Sequence, residues 1–319
     1  MPDRRRETVW FIVLALLISW GVGALWLLNE KRFILIRIFM CVPGLVGFGC
    51  AWFFRREPPR AVGLAFTEWK HWFAAIVYPI AIAIVAVALA YGIRSWLNRP
   101  DFIIFQPELL KIGPLHGLQV LPAFVLITLV MLLPWLLVAG AYRWNWPDRI
   151  KAKLPEKWRW LHHGFRAALW IPTFFIHGVP GELGEELGWR GYLVRRWQEK
   201  PITAALITMP VWAAFHLPVI FSSTQRGHGL QNATFLLSIA MAAVVFAAFY
   251  AWTRSVWPCA VLHLSWNLWN PVLLGDVYRG NPGLFGGKVW IFNGEGVFGL
   301  LLEGIVAIWL FRHWSQHRE

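Results

Sequence analysis

A small set of side chains in the second half of the chain has the types and spacing of acid–base chemistry. The run Gly181-Glu-Leu-Gly-Glu-Glu-Leu-Gly-Trp-Arg carries Glu182, Glu185, Glu186 and Arg190. Trp212-Ala-Ala-Phe-His sets His216 in an apolar stretch, and His263-Leu-Ser-Trp-Asn-Leu-Trp-Asn carries His263, Asn267 and Asn270. On a helix, Glu182, Glu186 and Arg190 recur at i, i+4 and i+8 and share one stripe, with Glu186 ahead of Arg190 in the favourable order for a pair. Glu185 is turned about 100° off that stripe. The spacing thus assigns Glu186 and Arg190 to each other and leaves Glu185 as a free carboxyl, suited to a general base. His263, Asn267 and Asn270 fall at i, i+4 and i+7, one polar stripe on an otherwise apolar helix. One buried histidine is commonly an interhelical hydrogen-bond partner. Two of them, with an aligned Asn and a Glu-Glu-x-x-x-Arg helix, point to catalysis.

The elements that must carry these residues are membrane helices. The chain has 319 residues, 58% hydrophobic and 15% charged, against about 25% charged in soluble domains. Its apolar residues gather into runs of about twenty, the length that crosses a bilayer as a helix. Expected spans are Val9–Leu28, Phe33–Phe54, Trp72–Ile93, Gln119–Tyr142, Ile202–Phe221, Ala233–Trp252, Val256–Gly275 and Gly296–Phe311, with a weaker run at Ala167–Val179. The expected fold is all-α, a polytopic transmembrane bundle of eight or nine spans in one domain over 1–319, with spans at 9–142, the catalytic half at 165–275 and the last span at 296–311. This excludes a soluble enzyme, a disordered scaffold and a disulfide-stapled module. The net charge of +13 is read as inside-loop bias and not as nucleic-acid binding, because Arg4, Arg5 and Arg6, then Arg55, Arg56, Arg60 and Lys70, then Arg143 to Arg159 flank alternate spans. That bias gives an integral multi-pass protein of the plasma membrane with a cytoplasmic N-terminus. The opening Met-Pro-Asp-Arg-Arg-Arg leads into a run too long for a signal peptide, so a retained first span is expected. Trp10, Trp26, Trp52, Trp72, Trp252 and Trp257 stand at span ends as an interfacial belt would. Cys41, Cys50 and Cys259 read as buried small hydrophobes.

In these motifs the sequence resembles the CPBP family, the CAAX-protease and bacteriocin-processing (Abi) intramembrane proteins. The family's marks are Glu-Glu-x-x-x-Arg, Phe-x-x-x-His and His-x-x-x-Asn. The chain has Glu185-Glu186-x-x-x-Arg190, Trp212-x-x-x-His216 and His263-x-x-x-Asn267 in that order, over roughly Phe165–Pro271. Trp212 stands where Phe is usual. The resemblance implies a glutamate-dependent intramembrane endopeptidase with no metal and no cofactor. Glu185 and His216 would activate water, His263 and Asn267 would hold the oxyanion, and Glu186–Arg190 would support the helix. Trp212 and Asn270 are expected at the substrate pocket. The expected partners are the lipid bilayer and a membrane-associated peptide or protein, prenylated in some relatives; nucleic acid is not a partner.

Two other readings stay open from the sequence. One is a zinc peptidase using Glu185, His216 and His263 with an open water position, although no His-Glu-x-x-His is present. The other is a non-catalytic immunity or scaffold protein that uses the same groups for helix packing. His162-His163 reads as solvated, and Glu303 as an isolated intramembrane acid whose partner the sequence does not name. Gly275–Gly294 is expected to be a connector beside the site. One distance does not close: His216 lies 14 residues into its span and His263 seven into its own, an offset of about 10 Å between parallel helices.

Overall fold

The computed structural model describes residues 3–57, 63–64, 67–109, 111–112, 115–122, 125–126, 129, 149, 152–156, 180–223, 225–276 and 281–316. The expected spans at 119–142 and 167–179, and His162-His163, lie wholly or mostly outside these residues.

The architecture is an all-α bundle. Long helices are α1 (Arg4–Leu28), α2 (Phe33–Arg55) and α3 (Trp69–Leu97). The short α4 (Pro180–Glu186) runs directly into a π-helical stretch, Leu187–Val194. Then follow α5 (Pro201–Phe215), α6 (Leu217–Ile220), α7 (Gly229–Thr253), α8 (Val256–Leu274), α9 (Val289–Phe292) and α10 (Val297–Gln316). Six stretches among the described residues are long and apolar enough to cross a membrane: α1, α2, α3, α5–α6, α7 and α9–α10. Helix α8 forms as expected but is absent from that group, consistent with its polar stripe lowering its hydropathy. Short antiparallel ribbons cap one end, β1 (Ile103–Phe105) on β4 (Phe285–Gly287) and β2 (Lys111–Ile112) on β3 (Leu115–His116).

Small residues set the packing that matters for the site. Without a hydrophobic drive between helices in lipid, close association needs residues that let backbones approach. Gly184 and Gly188 turn to α2, where a Cβ on Gly184 would stand 2.7 Å from Cys41 Cα and one on Gly188 would run into the backbone of Pro43. Gly44 answers from α2, its Cβ position 2.6 Å from the Gly184 carbonyl. This seam carries α4 into the bundle.

A buried charge cluster ties one end together. Glu7 of α1, fully buried, binds Arg55 of α2 at 2.9 Å and Arg196 at 3.4 Å. Glu57 takes Arg195 at 3.0 Å and Arg196 at 2.8 Å. Burial tends to raise the Glu57 carboxyl, and the hydrogen bonds from Arg196 and Arg195 outweigh it and hold it below its ordinary value.

Two expected belt tryptophans are core residues instead. Trp72 and Trp257 are buried, and Trp257 donates its indole N–H to the Leu64 carbonyl. Trp10, Trp52 and Trp252 are exposed on the outside, as a belt requires. Cys50 and Cys259 are buried and Cys41 half-buried. Glu303 of α10 accepts a hydrogen bond from Tyr78 of α3 at 2.8 Å, the partner that the sequence could not name.

Candidate active site

The three motifs meet around one cavity of about 40 Å³, room for a water molecule. Its wall includes Trp212 of α5 and His216 just after it, Phe246 and Ser238 of α7, and His263 and Asn267 of α8. The two glutamates stand one layer back, and each is bonded to a wall residue.

Glu186 and Arg190 pair as their spacing predicts, at 3.1 Å and with both side chains fully buried. The same Glu186 oxygen also takes Nδ1–H of His263 at 3.0 Å. A carboxylate can only accept, so the proton sits on Nδ1 and the ring is held by Glu186. Arg190 lies with its guanidinium 4.2 Å from the Trp212 ring and 4.5 Å from Phe246, a cation between two aromatic faces.

Glu185 is not the free carboxyl that its helical position predicts. The indole N–H of Trp212 donates to its Oε2 at 3.0 Å. Helical spacing within α4 could not show this, because the donor comes from another helix. Trp212 also meets the rings of His216 and His263 edge-on, each at 5.8 Å.

His216 terminates α5 and opens α6. Its Nδ1–H donates to the Trp212 carbonyl at 2.8 Å, which leaves Nε2 as the nitrogen with a lone pair. The expected offset between the two histidines is absorbed by where the helices begin. Helix α5 starts on half-exposed Pro201, Ile202 and Thr203, whereas α8 starts on Ser255, Val256 and Trp257, all buried. His263 is thereby set deeper than a residue count from the surface suggests.

Asn267 donates from Nδ2 to Glu182 Oε1 at 3.2 Å, and the other Glu182 oxygen faces Arg37 at 3.5 Å. Glu182 therefore serves Asn267 and not Arg190, two turns away. Asn270 is buried and bonds Asn293 and the Gly294 amide, each at 3.0 Å. Among the described residues, no three His, Cys, Asp or Glu side chains are grouped to hold a metal ion. The sequence reading missed Glu295, which lies on the cavity wall with Gly294. It sits in a glycine-rich link without helical periodicity, so no spacing signal marks it.

Residues 165–269 match the family model described as Type II CAAX prenyl endopeptidase Rce1-like. No curated protein and no solved structure matches the chain. The matched stretch contains Glu185, Glu186, Arg190, Trp212, His216, His263 and Asn267, and ends before Asn270 and Glu295.

Proposed function

We propose that the chain belongs to the CAAX-type membrane proteases, whose family model residues 165–269 match, and that it hydrolyses a peptide bond by a metal-free glutamic mechanism. Glu185 and His216 act together as one base: a water in the cavity gives up one proton to this pair, and its oxygen attacks the scissile carbonyl. Nε2 of His216, unprotonated because Nδ1 is committed to the Trp212 carbonyl, has the lone pair that this step needs. His263 and Asn267 hold the oxyanion. One Nδ2 hydrogen of Asn267 is committed to Glu182, and the second is available to the developing charge. Glu186 supplies the counter-charge when His263 donates from Nε2.

The observation that carries this reading is the convergence of His216, His263, Asn267 and Trp212 on one water-sized cavity, with the glutamate pair bonded directly behind two of them. The substrate class is a membrane-associated peptide presented from the bilayer, and a prenylated C-terminus is the chemistry that the family name suggests. The protein is read as lying in the plasma membrane with its N-terminus in the cytoplasm. The test is cleavage by the purified protein, in detergent or vesicles, of two peptides of one sequence, one prenylated near its C-terminus and one unmodified. Cleavage confined to the prenylated peptide supports the CAAX substrate; equal cleavage of both removes prenyl recognition from the reading.

A further inference from the structure

The cavity wall holds a carboxyl that the mechanism above does not use. Glu295, in the link between α9 and α10, is 9% exposed. Its Oε1 accepts the indole N–H of Trp266 at 3.2 Å. Its Oε2 is buried and has no hydrogen-bond partner among the described residues.

The link is fastened to hold that position. Asn293 Oδ1 accepts from the Glu295 amide at 2.8 Å and from Asn270 Nδ2 at 3.0 Å. Asn293 Nδ2 donates to the carbonyls of Leu274 at 3.1 Å and Gly275 at 2.9 Å. The Gly294 amide donates to Asn270 Oδ1 at 3.0 Å, and a Cβ on Gly294 would stand 2.6 Å from that oxygen and 2.9 Å from the Trp266 ring. The side-chain anchors of the link are all on α8 or the residue after it. Glu295 is thereby held against the helix that carries His263 and Asn267.

The proposed reaction has a base and an oxyanion hole but no assigned donor to the leaving nitrogen. An amide nitrogen cannot depart as an anion. A carboxylate oxygen buried without a donor, as Oε2 would be, is costly; the carboxylic acid, its O–H turned to the cavity, is the form that fits. We propose that Glu295 is the general acid of this site and protonates the leaving amine. This rests on the reading of the site as a peptidase. Water oxygen bonds to the carbonyl carbon, and one water proton goes to the base formed by Glu185 and His216. The C–N bond breaks with its electron pair on nitrogen, which takes the proton from Glu295. The proton held by the base returns to Glu295 through water that refills the cavity. One water is consumed, and an acid and an amine leave.

The test compares two substrates of one acyl sequence: the peptide amide, and an aryl ester whose phenolate leaves without a proton. Glu295→Gln keeps the shape of the side chain and an oxygen for Trp266. The expected result is a fall in amide hydrolysis of about 100-fold or more, the ordinary contribution of a general acid, with ester hydrolysis changed less than about threefold. Equal falls for both substrates would make Glu295 a structural residue, and no fall in either would make it a bystander; both overturn the proposal. Glu185→Gln separates this from the parent reading, because it is expected to lower both substrates together. If Glu185→Gln cleaves both at full rate, the base assignment fails, while the amide-to-ester ratio of Glu295→Gln still decides the acid.

Discussion

The indole N–H of Trp212 reaches Oε2 of Glu185 at 3.0 Å. The position at which this chain departs from the usual Phe of Phe-x-x-x-His is therefore the one that holds its candidate base. Phenylalanine keeps the aromatic wall but has no N–H. Trp212→Phe is expected to fold and to lose about tenfold in turnover, since a hydrogen bond to a charged group contributes about 1.5–3 kcal/mol. Steady-state kinetics on a membrane-associated peptide measure this, and an unchanged rate would leave the bond without a catalytic role.

Glu186 joins Arg190 to His263. Removing its charge leaves Arg190 buried without its ion-pair partner and His263 with a weaker acceptor. Glu186→Gln is expected to destabilise the protein by about 3–5 kcal/mol. Unfolding in detergent reads this directly, and a variant as stable as wild type would mean that Arg190 finds another partner.

The glycine seam that α4 and the following π-helical stretch form with α2 gives a local test. At Gly188 a Cβ would run into the backbone of Pro43, whereas at Gly92 nothing stands within 4 Å. Gly188→Ala is expected to cost about 1–3 kcal/mol by overpacking. Gly92→Ala, in a helix interior, should be neutral or stabilising by up to about 1 kcal/mol. Equal melting temperatures for the two variants would deny the close approach.

Glu57 sets a pH dependence. Its carboxyl is held below the ordinary value by Arg196 and Arg195 against the opposing effect of burial. Its contribution to stability is therefore fully present above the ordinary carboxylate pKa and is lost as pH falls through the lowered folded value. Wild type should exceed Glu57→Gln in melting temperature at neutral pH, with the gap closing in acid. A gap that widened in acid would contradict the sign.

Much of the site follows from spacing along single helices. The pairing of Glu186 with Arg190 needs only their i, i+4 separation, and the sharing of one cavity by His263 and Asn267 needs only theirs. What spacing cannot supply is choice between helices. That His263 takes Glu186 while Trp212 takes Glu185 depends on how far α4 sinks against α2, which Gly184 and Gly188 decide by backbone contact. The depth of His263 likewise depends on α8 starting inside the bundle at Ser255. Glu295 is invisible for a different reason: its burial comes from the Asn270–Asn293 bracket, a contact across a loop with no period. The helices Arg4–Leu28, Phe33–Arg55 and Trp69–Leu97 match the expected apolar runs because length and hydropathy alone determine them.

The most direct measurement is peptide cleavage by Glu185→Gln beside wild type, both purified in the same detergent and with melting temperatures compared. With Glu185 as the group that activates water, the variant folds with an unchanged melting temperature and loses about 100-fold or more in turnover. A folded Glu185→Gln that cleaves at the wild-type rate would contradict the glutamic mechanism.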